Sequence, residues 1–385
     1  MSLPLVARRH LLQLAAAGAS SLIAPRIVLA NAATERRFVF VIQRGAADGL
    51  DTVVPYADPA YARLRGALAI DAAAATKLDG LFALHPALVE TAKLYSAQQA
   101  LFVHAVASRY RERSHFDGQN VLESGGSAPF EVKDGWLNRL IALLPKKNGE
   151  AIAITPTVPL ALRGKAEVTS YAPAATQQAP DDLLQRVQQL YAQDAQLHAL
   201  WSAAMDARGM AAGPALKQNP AELGQLAARF LGQPQGPRIA MLEIEGWDTH
   251  SAQAPRLANR FKALDAMIAA LRDGMAAAWA DTTVLVATEF GRTVAINGTG
   301  GTDHGTASVA MLVGGAVQGG RVLGDWPGLA AGALYQGRDL QPTTGLDALI
   351  AAAAGECFGI EPERVARALF PQLAIATPLA RLLRS

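Results

Sequence analysis

A single cysteine, Cys357, in 385 residues means that no disulfide can form within the chain. Its setting, "AAAAGECFGI", reads as the end of a helix with the thiol as a small buried hydrophobe. Charge is also sparse. Only 18% of residues are Asp, Glu, Lys or Arg, against 51% hydrophobic, and the net charge is +2. Arg8, Arg9 and Arg26 fall in the first 32 residues, which hold no acid, so the remainder carries 32 basic against 33 acidic residues. That balance leaves no electrostatic footprint for nucleic acid or an anionic membrane. No H-E-x-x-H helix is present, which disfavours a zinc peptidase. There is no internal repeat and no low-complexity linker, so a single large domain is expected.

The N-terminus reads as an export leader. Arg8-Arg9 precedes "HLLQLAAAGASSLIAP", and Ala30-Asn31-Ala32 is a small-x-small cleavage site. The apolar stretch is too short and too rich in alanine to span a bilayer. The paired arginines before a weakly hydrophobic segment resemble a twin-arginine signal, read by the Tat export machinery, which translocates folded proteins. Residues 1–32 are therefore expected to be a signal and residues 33–385 a periplasmic or secreted domain.

Within that domain, "RRFVFVIQRG" opens with an unbroken apolar run. Similar runs recur at 100–107, 237–246, 282–291 and 308–315. Runs without alternation suit strands buried on both faces, as in parallel sheets. Helical patterns lie between them, in "HPALVETAKLYSAQ" and, most strongly, "APRLANRFKALDAMIAALRDGMAAAWAD". The expectation is an α/β fold, a mainly parallel sheet flanked by helices, with a helical insertion at about 180–235 and a short edge pair in "AITPTVPLALRG".

Ligands of open parallel sheets bind at the carboxyl ends of strands. Asp48 follows the first run, Ser114 and His115 the second, Trp247-Asp248-Thr249-His250 the third, and Glu289, Arg292, Asp303 and His304 the fourth. Seven histidines occur in all, and three of the six beyond the leader stand in these turns. Carboxylates with imidazoles suit a divalent metal, and nitrogen donors favour Zn²⁺ or Mn²⁺ over Mg²⁺ or Ca²⁺. Each residue also has a plain reading. Asp48 can serve only its turn, Thr249 or Ser251 can cap the long helix, and Ser114 can cap a helix start. Arg292 can neutralise Glu289. His85 and His104 read as structural.

The ordered segments "RGAADGLDTVVPY", "RSHFDGQNVLESG", "GWDTHS", "TEFGRT" and "GGTDHGTASVAMLVGGAVQGGRVLGDWPGL" resemble the exported domain-of-unknown-function 1501 family. More remotely, the set is similar to the alkaline phosphatase/sulfatase superfamily. That second resemblance implies an alkaline-phosphatase-like fold and a two-metal hydrolase of phosphate or sulfate esters, acting on a small anionic ester. Asp48 and Glu289 would hold one ion and Asp248, His250 and His304 the other, ~3.5–4 Å apart. Arg113 or Arg292 would contact the anion, Asp303 would orient His304, and Trp247 and Trp326 would wall the site. Counting back ten residues from Gly125 gives His115, with Ser114 one further. Either Ser114 is the nucleophile, or His115 has become a ligand. Phe290 stands where the superfamily has a histidine. The competing reading is a non-catalytic exported module that binds an extracellular ligand or takes part in assembly.

Overall fold

A computed structural model describes residues 35–145, 151–172, 219–372 and 381–384, with isolated positions between 187 and 202 and at 379. The expected leader, and much of the expected insertion at about 180–235, lie outside the described residues. Within the latter, Pro220–Leu231 is a helix, capped by the Asn219 side chain on the Glu222 amide at 3.0 Å.

The main sheet contains β1 (Arg37–Arg44), β2 (Ala100–Ala107), β3 (Ala151–Ala153), β4 (Thr169–Ser170), β5 (Ile239–Glu245), β6 (Thr282–Thr288), β7 (Ser308–Val313) and β8 (Arg321–Leu323). Their order is β8-β2-β7-β6-β1-β5-β3-β4, and residues 344–345 also pair with β2. All five apolar runs form strands. On β1, Phe38, Phe40 and Ile42 enter one hydrophobic layer while Val39 and Val41 enter the other. Both faces are covered, so positions 38–42 are all apolar and no alternation survives.

Helices α3 (Trp136–Leu143), α6 (Leu346–Phe358) and α7 (Pro362–Leu369) build the first layer. Helices α1 (Val89–Ser96), α4 (Pro220–Leu231) and α5 (Gln253–Met275) build the second. Cys357 lies on α6, buried in the first layer. No helix among the described residues is long and apolar enough to cross a membrane.

The sheet is mainly parallel, and β7 runs antiparallel to both of its neighbours. A parallel neighbour needs a crossover, usually a helix, whereas an antiparallel one can be reached by a loop that turns back. Residues 289–307 form such a loop, so Glu289 and His304 meet at the same end of the sheet. The expected edge pair does not form within 153–164: only Ala153 lies in a strand, the end of interior β3, Leu160–Leu162 is a 3₁₀ turn after Pro159, and β4 supplies the edge.

His85 and His104 serve the structure. The His104 ring donates through Nε2 to the Val53 carbonyl at 2.9 Å and lies between Phe82 and Trp326. His85 accepts from the Ala87 amide and packs on Phe261. Burial pushes both pKa values down to about 4. An unfolded histidine titrates near ~6.5, so the unfolded chain binds more protons between these values. Stability is full above that range and falls as pH drops through it, by at most about 1.4 kcal/mol per pH unit for each ring. Denaturant melts from pH 7 to pH 5 test this. His104→Asn should show a shallower decline than the parent, and equal slopes would refute the assignment.

Candidate metal centre

Two loops are tied together before any site exists. Helix α5 begins after Ala252, which takes a left-handed conformation (φ 46°) and has no side-chain cap, so neither Thr249 nor Ser251 caps it. Its entry is held from across the loop instead: the Ala252 and Gln253 amides donate to the Thr299 and Gly300 carbonyls at 3.3 and 2.9 Å. Asn297 Nδ2 and Thr299 Oγ1 both donate to the His250 carbonyl, at 2.9 and 2.5 Å. The backbones approach so closely that a Cβ on Gly301 would collide with the His250 carbonyl group. This contact carries His250 to His304.

Helix α2 (His115–Ser124) supplies the third imidazole, with Ser114 at its N-cap position and the Ser114 side chain making no capping bond. Three rings then converge. His250 Nε2 lies 3.0 Å from His304 Nε2 and 3.0 Å from Asp248 Oδ1. His304 Nε2 lies 3.4 Å from the same oxygen, and His115 Nε2 lies 3.5 Å from Asp248 Oδ2. Donor atoms of His115, Asp248 and His304 all fall within 4.8 Å of one another. The His115 Nε2 is buried and has no hydrogen-bond partner, the kind of orphan a ligand would satisfy.

Every remaining ring nitrogen is fixed to an oxygen: His115 Nδ1 to Glu289 Oε1 at 2.8 Å, His250 Nδ1 to Asp303 Oδ1 at 3.2 Å, and His304 Nδ1 to the Arg113 carbonyl at 2.9 Å. Outer oxygens of this kind orient metal-binding histidines. Asp303 therefore orients His250, and the Arg113 carbonyl takes the expected place of Asp303 beside His304.

The electrostatics follow from these contacts. Burial pushes the Asp248 carboxyl up, but the hydrogen bond from Arg292 Nη1 (2.7 Å) and its charge outweigh this and hold it below the usual range. Glu289 is fully buried and still held low, because bonds from His115, Gln119 and the Gly45 amide overcome desolvation. The Glu289 bond raises the His115 pKa, while burial and then the neighbouring His115 lower that of His304. Phe290 stacks on His115 at 5.1 Å and contacts His304 at 5.3 Å.

Other expected site residues are engaged elsewhere. Asp48 Oδ1 accepts from the Leu50 and Asp51 amides, and its Oδ2 pairs with Arg65 at 2.6 Å and accepts from Gln253 at 2.7 Å. Both oxygens are thus engaged, and here Asp48 serves its turn and a buried ion pair. Arg292, which has no solvent exposure, is spent on Asp248 and Thr302, so it neutralises Asp248 in place of Glu289 and is closed to an anion. Arg113 is bound to Asp339 at 2.7 Å and to Gln336 at 2.6 Å. Trp247 is core, packed on Phe261 and donating to the Ile244 carbonyl. Trp326 packs on Phe82 and donates to Asp58.

The sequence reading missed Gln119, Arg65 and Gln253. Gln119 was within reach of it, because it follows His115 by one helical turn and so shares its face.

A family profile described as "Protein of unknown function (DUF1501)" matches residues 35–370. The chain belongs to the DUF1501 family. No curated protein matches it. Solved structures similar to this DUF1501 protein include the zinc complex of the C-terminal periplasmic domain of EcEptC from Escherichia coli, at 8% identity over 74% of each chain and a TM-score of 0.39. The PsFucS1 sulfatase from Pseudoalteromonas sp. is 12% identical over 93% of this chain and 73% of its own, with a TM-score of 0.37. The phosphonate monoester hydrolase of Agrobacterium radiobacter is 10% identical over 75% of this chain and 70% of its own, at 0.30. At such distances the chemistry of this DUF1501 protein rests on its own residues.

The role of Asp48 is open to a direct check. Removing one partner of a buried ion pair costs about 3–5 kcal/mol. Asp48→Ala should lower unfolding stability by roughly that amount. A variant of unchanged stability that has lost metal binding would restore Asp48 as a ligand.

Proposed function

We propose that this protein is an exported, divalent-metal-dependent hydrolase of phosphate or sulfate esters. The observation that carries the reading is the convergence of three imidazole nitrogens on Asp248, each ring held from behind by an oxygen. Imidazole and carboxylate donors suit Zn²⁺ or Mn²⁺ better than Mg²⁺ or Ca²⁺. A cation bound there would polarise the ester oxygens and favour the ionised form of an attacking hydroxyl.

The residues of the chain do the rest. Ser114, half-buried at the start of α2 and adjacent to His115, would lose its proton, attack phosphorus or sulfur and expel the alcohol, leaving an esterified serine for water to release. Neither Arg113 nor Arg292 is free to clamp the anion. The first-turn amides of α2, with no side-chain cap, take that role, since helix N-termini bind anions through free N–H groups and the positive end of the dipole. Asp248 is 42% exposed on one side while Arg292 holds the other, so the substrate has an open approach.

The commitment of both arginines to internal carboxylates favours a second reading, a non-catalytic exported module that uses the ion for binding or assembly. Turnover separates the two. The metal-loaded chain should hydrolyse 4-nitrophenyl phosphate or 4-nitrophenyl sulfate. Ser114→Ala should lower kcat on the order of 10³-fold or more with its metal retained. A metal-loaded parent inert toward both esters would leave the second reading in place.

A further inference from the structure

We infer that the centre is mononuclear: a single ion of the zinc class is held by His115 Nε2, His250 Nε2, His304 Nε2 and an oxygen of Asp248, with Glu289 outside the ligand set. This rests on the metal reading above, with the ester entering as a fifth ligand, and replaces the two-ion arrangement implied by the resemblance.

Hydrogen placement argues first. A backbone carbonyl only accepts, so the His304 Nδ1 that faces the Arg113 carbonyl at 2.9 Å must carry the hydrogen. Ionised Asp303 and Glu289 impose the same tautomer on His250 and His115. In the neutral rings each Nε2 then presents a lone pair. Those of His250 and His304 face each other at 3.0 Å, and that of His115 is buried with no partner. Lone pairs in such contact repel, and a shared cation removes the repulsion.

Spacing argues second. Tetrahedral zinc with bonds of ~2.0–2.1 Å has donor–donor edges of about 3.3 Å. The measured separations are of that order: 3.0 Å between His250 and His304, 3.0 and 3.4 Å from these two rings to Asp248 Oδ1, and 3.5 Å from His115 to Asp248 Oδ2. Three nitrogens and one oxygen are donors for zinc and its transition-metal neighbours, not for magnesium or calcium.

Saturation argues third. Glu289 Oε1 accepts from His115, from the Gly45 amide at 2.8 Å and from Gln119 at 3.1 Å, while Oε2 accepts from Thr288 at 2.9 Å. Gly45 has φ +118°, and a Cβ there would lie 2.6 Å from the Asp248 amide nitrogen, so only glycine brings this amide to Glu289. Glu289 is a positioning residue for His115. Because Asp48 is saturated too, neither expected ligand of a second ion has an oxygen to give.

The experiment is metal stoichiometry and affinity of the purified chain loaded with Zn²⁺ or Co²⁺, measured by mass spectrometry of bound metal and by competition with a chromogenic chelator. One ion per chain is expected, with three imidazoles counted by zinc-edge X-ray absorption of the parent. His115→Ala should weaken binding more than 100-fold, and Glu289→Gln 10–100-fold, the usual cost of an outer-shell change. Two ions per chain would overturn the inference and leave the hydrolase reading standing. Unchanged affinity in His115→Ala, or a loss in Glu289→Gln as complete as in His115→Ala, would overturn it as well. A parent that binds no ion would sink both readings. If His115→Ala does not fold by circular dichroism, the imidazole count on the parent decides: fewer than three overturns the inference.

Discussion

One strand direction governs the site. Because β7 runs back against β6, residues 289–307 must leave and re-enter the sheet at the same end. That places a carboxylate at the exit and a histidine at the return, and it leaves a long polar loop to be secured. The loop is secured on α5: its carbonyls at 299 and 300 satisfy the first amides of that helix, and its side chains grip the His250 carbonyl. The geometry of the three histidines follows from this arrangement.

Charges buried beneath the loop reinforce it. Arg292 and Arg65 are both sealed from solvent, and each has an acid opposite, Asp248 for one and the Asp48/Asp51 pair for the other. Gln253 links the two systems. It donates to Asp48 and Asp51, and its oxygen accepts from Thr249 and from Thr302, which in turn receives Arg292 Nε. Unpaired, either guanidinium would carry a large desolvation cost; paired in a continuous network, they fix the loop in one arrangement.

Much of this was legible in the sequence. The five strands were, because burial on both faces leaves unbroken apolar runs, and so was the position of the site at their carboxyl ends. Asp248, His250 and His304 could be singled out since a strand end followed by a polar turn is where a parallel sheet binds. The roles of Asp48 and Glu289 could not be read that way. Whether a carboxylate ligates, pairs or orients depends on what stands opposite it. For Asp48 that is Arg65, seventeen residues on, and for Glu289 it is His115, 174 residues back. Nothing local distinguishes these cases. The antiparallel turn of β7 was hidden for a similar reason, since an apolar run carries no direction.

The central strand, finally, constrains how the chain comes together in time. β1 stands near the start of the described chain, yet its two neighbours are β5 and β6, with Phe38 registered against Ile239 on one side and Thr283 on the other. The middle of the sheet therefore cannot close until most of the polypeptide has left the ribosome. Pairings this remote fold slowly and expose apolar edges meanwhile. The last segment needed to complete the histidine cluster, the return to β7, arrives later still, so that cluster is among the last features to form.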